Sequence, residues 1–121
     1  MVDPVSVAER IKKENQREAQ DLAQRRQHAQ NLGKYMARQI LQRYPEVRRV
    51  WGFGSTYETW RSYRSTSDID LALEGGDILE IFRITEGCEI PIDLVSLEDC
   101  PPSMAAAIRS HGVILAEVPC D

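Results

Sequence analysis

The sequence has no apolar run approaching the length of a membrane span, and no signal-peptide pattern stands at its start. Both absences point to a cytoplasmic protein. Cysteine is scarce. Cys88, Cys100 and Cys120 are odd in number and lack metal-ligand spacing, which argues against a zinc site and favours reduced thiols over a disulfide framework. Low-complexity segments and internal repeats are absent as well. Basic residues are few beyond the first strand: residues 50–121 hold four Lys or Arg against thirteen acids, whereas residues 1–49 hold eleven against six. The acidic part repels phosphate unless a cation intervenes, so nucleic acid is a poor partner for it. The basic part could meet nucleic acid or an acidic partner, but its charges are interleaved in sign, as on any solvated helix with i,i+4 pairs.

What is present is one domain's worth of chain. With 121 residues, 42% hydrophobic and 28% charged, it is ordinary for a soluble globular protein with a modest core. Asp3-Pro4 has the form of a helix cap followed by proline in the first turn. No Gly or Pro interrupts until Gly33 and Pro45, so Val5 to Arg43 reads as one long helix or as two with a break near Gly33. Leu32, Met36, Ile40 and Leu41 form a core-facing stripe on its second part. The first part is too polar to be stable alone and is expected to lean on another chain or to protrude.

Pro45 stops the helix, and Val47 to Phe53 reads as the first strand. After it come Gly54-Ser55, a twelve-residue polar segment from Thr56 to Ser67, and Asp68-Ile69-Asp70-Leu71-Ala72-Leu73. Two carboxylates one residue apart on a strand point to the same face, roughly 6.5 Å apart along it. Asp68 and Asp70 can therefore share a pair of hard divalent cations, while Ile69, Leu71 and Leu73 face a core. Ile90-Pro91-Ile92-Asp93-Leu94-Val95 repeats the logic, and Asp93 supplies a third carboxylate. Pro91 suggests an edge position or an early strand residue. Three carboxylates converging without Lys or Arg beside them call for a cation. Gly54-Ser55, at the end of an apolar run, lets backbone approach an anion and offers N–H and hydroxyl donors, especially if a helix begins there. Arg61 and Arg64, with Tyr57, Trp60 and Tyr63, are candidates to contact a triphosphate and a base. A plain loop anchored by aromatics in the core is an equal reading. Asp77 is positioned to cap a short helix bearing Ile78, Leu79, Ile81, Phe82 and Ile84, ended by Gly87. Pro101-Pro102-Ser103 opens another helix that closes at His111-Gly112, where His111 reads as a helix-end residue rather than a base. Val113 to Val118 is the last strand. The order describes an α/β (α+β) sandwich with a mixed sheet of about four strands.

Gly54-Ser55, Ser67-Asp68-Ile69-Asp70-Leu71, Ile92-Asp93-Leu94-Val95 and the terminal His111-Gly112-Val113-Ile114-Leu115 resemble the signature of the DNA polymerase beta-like nucleotidyltransferase superfamily. The shortness of the chain is similar to its minimal members, the MNT antitoxins paired with HEPN toxins. The likeness covers about residues 34 to 118, dividing the chain into a polar helical extension (1–33) and a minimal nucleotidyltransferase domain (34–121). The segment from Thr56 to Ser67 is longer than is usual in the family. The resemblance implies ATP as substrate and two-ion chemistry resting on these parts: Gly54, Ser55, Ser67, Arg61 and Arg64 toward the nucleotide, and Asp68, Asp70 and Asp93 as Mg²⁺ ligands and catalytic residues. It also implies the acceptor, a tyrosine of a HEPN ribonuclease toxin, because the chain has no room for the acceptor domain of larger relatives. Two other readings stand beside this one. One is an antitoxin or nucleotide-binding subunit acting by contact alone, and the other is a small-molecule nucleotidyltransferase.

Overall fold

The computed structural model describes residues 3–119. The Asp3 side chain accepts a hydrogen bond from the Val5 N–H at 3.1 Å, Pro4 occupies the first turn, and helix α1 then runs unbroken over Pro4–Arg43. Of the two readings open from sequence, the continuous helix is the one observed. Gly33 does not break the helix; it makes room. A Cβ there would collide with the Tyr57 hydroxyl and press on Ile69. The helix joins the core only in its second part, where Ala29, Gly33, Met36, Ala37 and Ile40 are buried. Between residues 3 and 21 every residue but the half-buried Val7 is exposed, as its polar composition implies.

Four strands follow: β1 (Arg49–Phe53), β2 (Ile69–Glu74), β3 (Ile92–Ser96) and β4 (Val113–Glu117). They form one sheet in the order β3-β2-β1-β4. β1 pairs antiparallel with both β2 and β4, whereas β2 and β3 are parallel. A parallel pair needs a crossover, and helix α3 (Ile78–Thr85) supplies it, capped by the Asp77 side chain through the Leu79 N–H at 2.9 Å. β3 is an edge strand with Pro91 immediately before it, where its missing N–H does no harm. A single helical turn, α2 (Gly54–Tyr57), begins directly after β1. Helix α4 (Pro102–His111) precedes β4. The mixed α+β sheet read from sequence is the architecture found.

Strand alternation sorts the core into two layers. Val50, Ile69, Leu71, Leu73 and Ile92 face α1 and α3, where Met36, Ala37, Ile40 and Ile81 meet them. Trp51, Ala72 and Leu97 face α4 and pack on Ala105 and Ile108. The even positions of β2 share this second face, which places Asp70 there beside the α4 layer. Each fully buried aliphatic side chain contributes roughly 1.5–3 kcal/mol relative to exposure. Tyr57 belongs to the first layer: its ring fills the space over Gly52, and its hydroxyl donates to the Gln30 carbonyl at 2.9 Å. Gly33→Ala should therefore destabilise the fold by about 1–3 kcal/mol through overpacking, although alanine is the better helix former. Urea unfolding monitored by circular dichroism checks this, and a gain in stability would show that the Tyr57 hydroxyl yields freely.

Among the described residues, no helix is long and apolar enough to cross a membrane. Cys88 and Cys100 are free thiols, and Cys120 lies outside the described residues.

Candidate active site

The parallel register of β2 on β3 sets Asp70 opposite Asp93. Asp68 stands two residues earlier, just before β2 begins. On the other side of β2 the antiparallel register pairs Phe53 with Asp70, so the chain leaves β1 next to the carboxylates and turns at Gly54. That turn has φ +72°, and a Cβ at Gly54 would collide with Asp70 Oδ2. Only glycine allows both the left-handed backbone and the close approach. The backbone thus brings together Asp68, Asp70, Asp93 and Gly54-Ser55 from three separate stretches of sequence.

The segment after Ser55 is tied to the same place. Thr56, fully buried, donates through Oγ1 to the Asp68 carbonyl at 2.9 Å. Ser55 Oγ donates to Ser67 Oγ at 3.0 Å, and the Arg64 N–H donates to Ser67 Oγ at 3.0 Å. Both candidate arginines are exposed, but Arg61 is drawn toward the site by its pairing with Glu58, whereas the Arg64 side chain is not. The aromatics divide as well. Tyr57 is a core anchor and Tyr63 is half-buried, with Arg26 lying 5.6 Å from its ring centroid. Trp60 is 65% exposed, with Arg61 at 4.6 Å from its ring centroid and His111 edge-on at 5.9 Å. His111 is the last residue of α4 and is exposed.

Sequence reading missed Glu58. Its side chain is only 6% exposed, and its carboxylate accepts from the Gly54 N–H at 2.5 Å and pairs with Arg61 Nε at 3.2 Å. The signal is the i,i+4 spacing from Gly54 and the i,i+3 spacing to Arg61, which becomes visible once a helical turn is assigned to Gly54–Tyr57. The same pairing corrects the expectation that no Lys or Arg stands beside the carboxylates. The turn of α2 folds the following segment back, and Arg61 approaches Asp70 closely enough to favour its ionised form. One guanidinium does not balance four carboxylates. Burial above all, then Asp93, Asp68 and Glu58, push the Asp70 carboxyl up to about 6.

This donor set fits Mg²⁺. Among the described residues, no three His, Cys, Asp or Glu side chains close into a ready-made metal cage. Mg²⁺ does not need one, because it is commonly held by one or two carboxylates together with substrate phosphates and water. Hard oxygen donors whose mutual repulsion is uncompensated are the chemistry such an ion relieves.

No family model matches the sequence, and no curated protein matches it. Solved structures do match the fold. One is described as a toxin-antitoxin with AMP-PNP, similar at 19% identity and a TM-score of 0.57 over 70% of this chain and 73% of that one. Another is a mutant of the toxin-antitoxin MntA-HpeT, similar at 17% identity and a TM-score of 0.56 over 71% of this chain and 73% of that one. This chain shares their fold. At these identities the likeness concerns the path of the backbone, and the chemistry of this chain has to be argued from its own residues.

Proposed function

We propose that this chain is a Mg²⁺-dependent nucleotidyltransferase that moves AMP from ATP onto a hydroxyl of a partner protein, a tyrosine of a HEPN ribonuclease toxin, and so acts as its antitoxin. The observation that carries the reading is the side-by-side placement of Asp70 and Asp93 across β2 and β3, with Asp68 and the Gly54-Ser55 turn beside them. Two features of the solved neighbours support it: both are toxin-antitoxin structures, and one holds an ATP analogue. The identity of the acceptor rests on the resemblance of the sequence motifs.

Asp68, Asp70 and Asp93 would hold the metal. Bound there, Mg²⁺ supplies charge neutralisation at the phosphates and makes the acceptor hydroxyl more acidic. Ser55 donates to the triphosphate through its hydroxyl and N–H, and Arg61 offers a guanidinium fork to the phosphate oxygens. Asp93, exposed at the edge strand, takes the acceptor proton. The acceptor oxygen bonds to the α-phosphorus as the α–β phosphoanhydride breaks, and pyrophosphate leaves. ATP labelled at the α-phosphate should therefore label the partner, whereas ATP labelled at the γ-phosphate should not. Label retained from the γ position would indicate phosphoryl transfer and contradict the proposal.

Contact contributes beside chemistry. The exposed first half of α1 offers a long polar face to a partner, so complex formation is expected to survive loss of the carboxylates.

A further inference from the structure

The proposed catalytic groups all lie between Gly54 and Asp93, yet the segment that carries Ser55 is gripped from outside that range. Arg26, on the polar part of α1, donates through Nη2 to the Ser55 carbonyl at 2.5 Å and to the Glu58 carbonyl at 2.9 Å. Its Nε reaches the Thr56 carbonyl at 3.4 Å, and Nη2 also approaches the Arg61 carbonyl at 3.5 Å. Gln30, one turn further along α1, donates to the same Thr56 carbonyl at 2.9 Å. Carbonyls at the end of a helical turn have no partner within the turn. Here one guanidinium gathers several of them, and its plane rests beside the Tyr63 ring.

We infer that Arg26 is a positioning residue of the transfer site, holding the Ser55–Arg61 segment so that the Ser55 donors and the Arg61 guanidinium stand at fixed places relative to Asp68 and Asp70. The linkage is short. Arg26 and Gln30 fix the Thr56 carbonyl, and the Thr56 hydroxyl fixes the Asp68 carbonyl. Only an arginine suits the task, since its rigid fork reaches several acceptors and stays charged, while a lysine ammonium is a point donor on a flexible stem. The polar stretch of α1 that sequence motifs set apart as an extension thereby belongs to the site. This inference rests on the proposed function for its kinetic meaning, though not for its structural one.

Arg26→Lys and Arg26→Gln, made in the full chain, test it with two readouts. Backbone amide exchange is expected to rise about tenfold or more over residues 55–61 while that of Leu71 and Leu73 in β2 stays as in the wild type. In nucleotidyl transfer, kcat/KM for ATP is expected to fall about 10- to 100-fold in both variants, because misplacing an otherwise intact site costs that much. Unchanged exchange over residues 55–61 would overturn the inference. So would exchange rising equally in β2, which would make Arg26 a general brace, or loosening of the segment without loss of transfer. If the wild type itself transfers nothing, the proposed function fails, and the exchange pattern still decides whether Arg26 holds the segment.

Discussion

Asp70→Asn should lower nucleotidyl transfer by about a thousandfold or more while leaving the fold at least as stable as the wild type. The two halves of that result have one cause. Asp70 is wedged between Gly54 and Asp93, half-buried, with Asp68 and Glu58 also pressing on it. In the proposed site Asp70 is a metal ligand, and an amide there would lack the charge that draws the ion and the triphosphate together; losses of this size follow removal of groups that act as a unit. As a structural element it is a liability. An ionised carboxyl held among other carboxylates is a cost that asparagine does not carry.

The sign can be followed with pH. The Asp70 carboxyl titrates at about 6 in the folded chain, against 3.8 as its ordinary value. Between those values the folded state holds a proton that the unfolded chain has already lost, so stability falls as pH rises through that window and levels off above it. Discounted for partial solvent exposure, the penalty above pH 6 is on the order of 1 kcal/mol, a few degrees in midpoint. Without divalent ions, Asp70→Asn should match the wild type near pH 4 and exceed it near pH 7. Urea midpoints at both pH values in EDTA make the comparison. A variant less stable at pH 7 would show that Asp70 is a structural acceptor and not a strained ligand.

Gly54→Ala should be the second severe change, with transfer falling about 100-fold and stability falling by roughly 1–2 kcal/mol. The loss of stability comes from the left-handed backbone at φ +72°, which a Cβ disfavours. The loss of transfer comes from the collision of that Cβ with Asp70 Oδ2, which drives the carboxylate away from its place opposite Asp93. Gly87→Ala separates the two causes. Gly87 also has a positive φ, +82°, yet a Cβ there meets nothing within 4 Å. It should lose similar stability and keep its transfer rate. Equal kinetic loss in both variants would mean that backbone strain alone is responsible and that the contact of Gly54 with Asp70 has no bearing on chemistry.

The strands were legible because their signal is local. Apolar residues recur at every second position around Asp70 and Asp93, and Ile69, Leu71 and Leu73 are fully buried as that period requires. The caps at Asp3 and Asp77 were legible for the same reason. The pairing of Asp70 with Asp93 follows from three strands carrying motifs that need one another, although their register does not follow from the alternation alone. What escaped was non-local or depended on a short element. The turn Gly54–Tyr57 has no periodicity to read, so Glu58 and the inward swing of Arg61 stayed hidden. Gly33 is ambiguous in sequence, since a helix break and a helix–aromatic contact both call for glycine; the Tyr57 hydroxyl decides between them. Arg26 is one of many charged residues on a polar helix, and its grip on carbonyls 29 to 35 residues away leaves no trace in its neighbours.

In the proposed function these carboxylates serve the transfer of a nucleotide to a protein partner. The decisive experiment is intact-mass spectrometry of the proposed HEPN toxin partner after incubation with this chain, Mg²⁺ and ATP. A mass gain of one or more AMP units on the partner is expected, absent when the Asp68→Asn, Asp70→Asn double variant replaces the wild type. An unmodified partner that is nonetheless bound and silenced by the wild-type chain would contradict it, and would assign the antitoxin effect to contact alone.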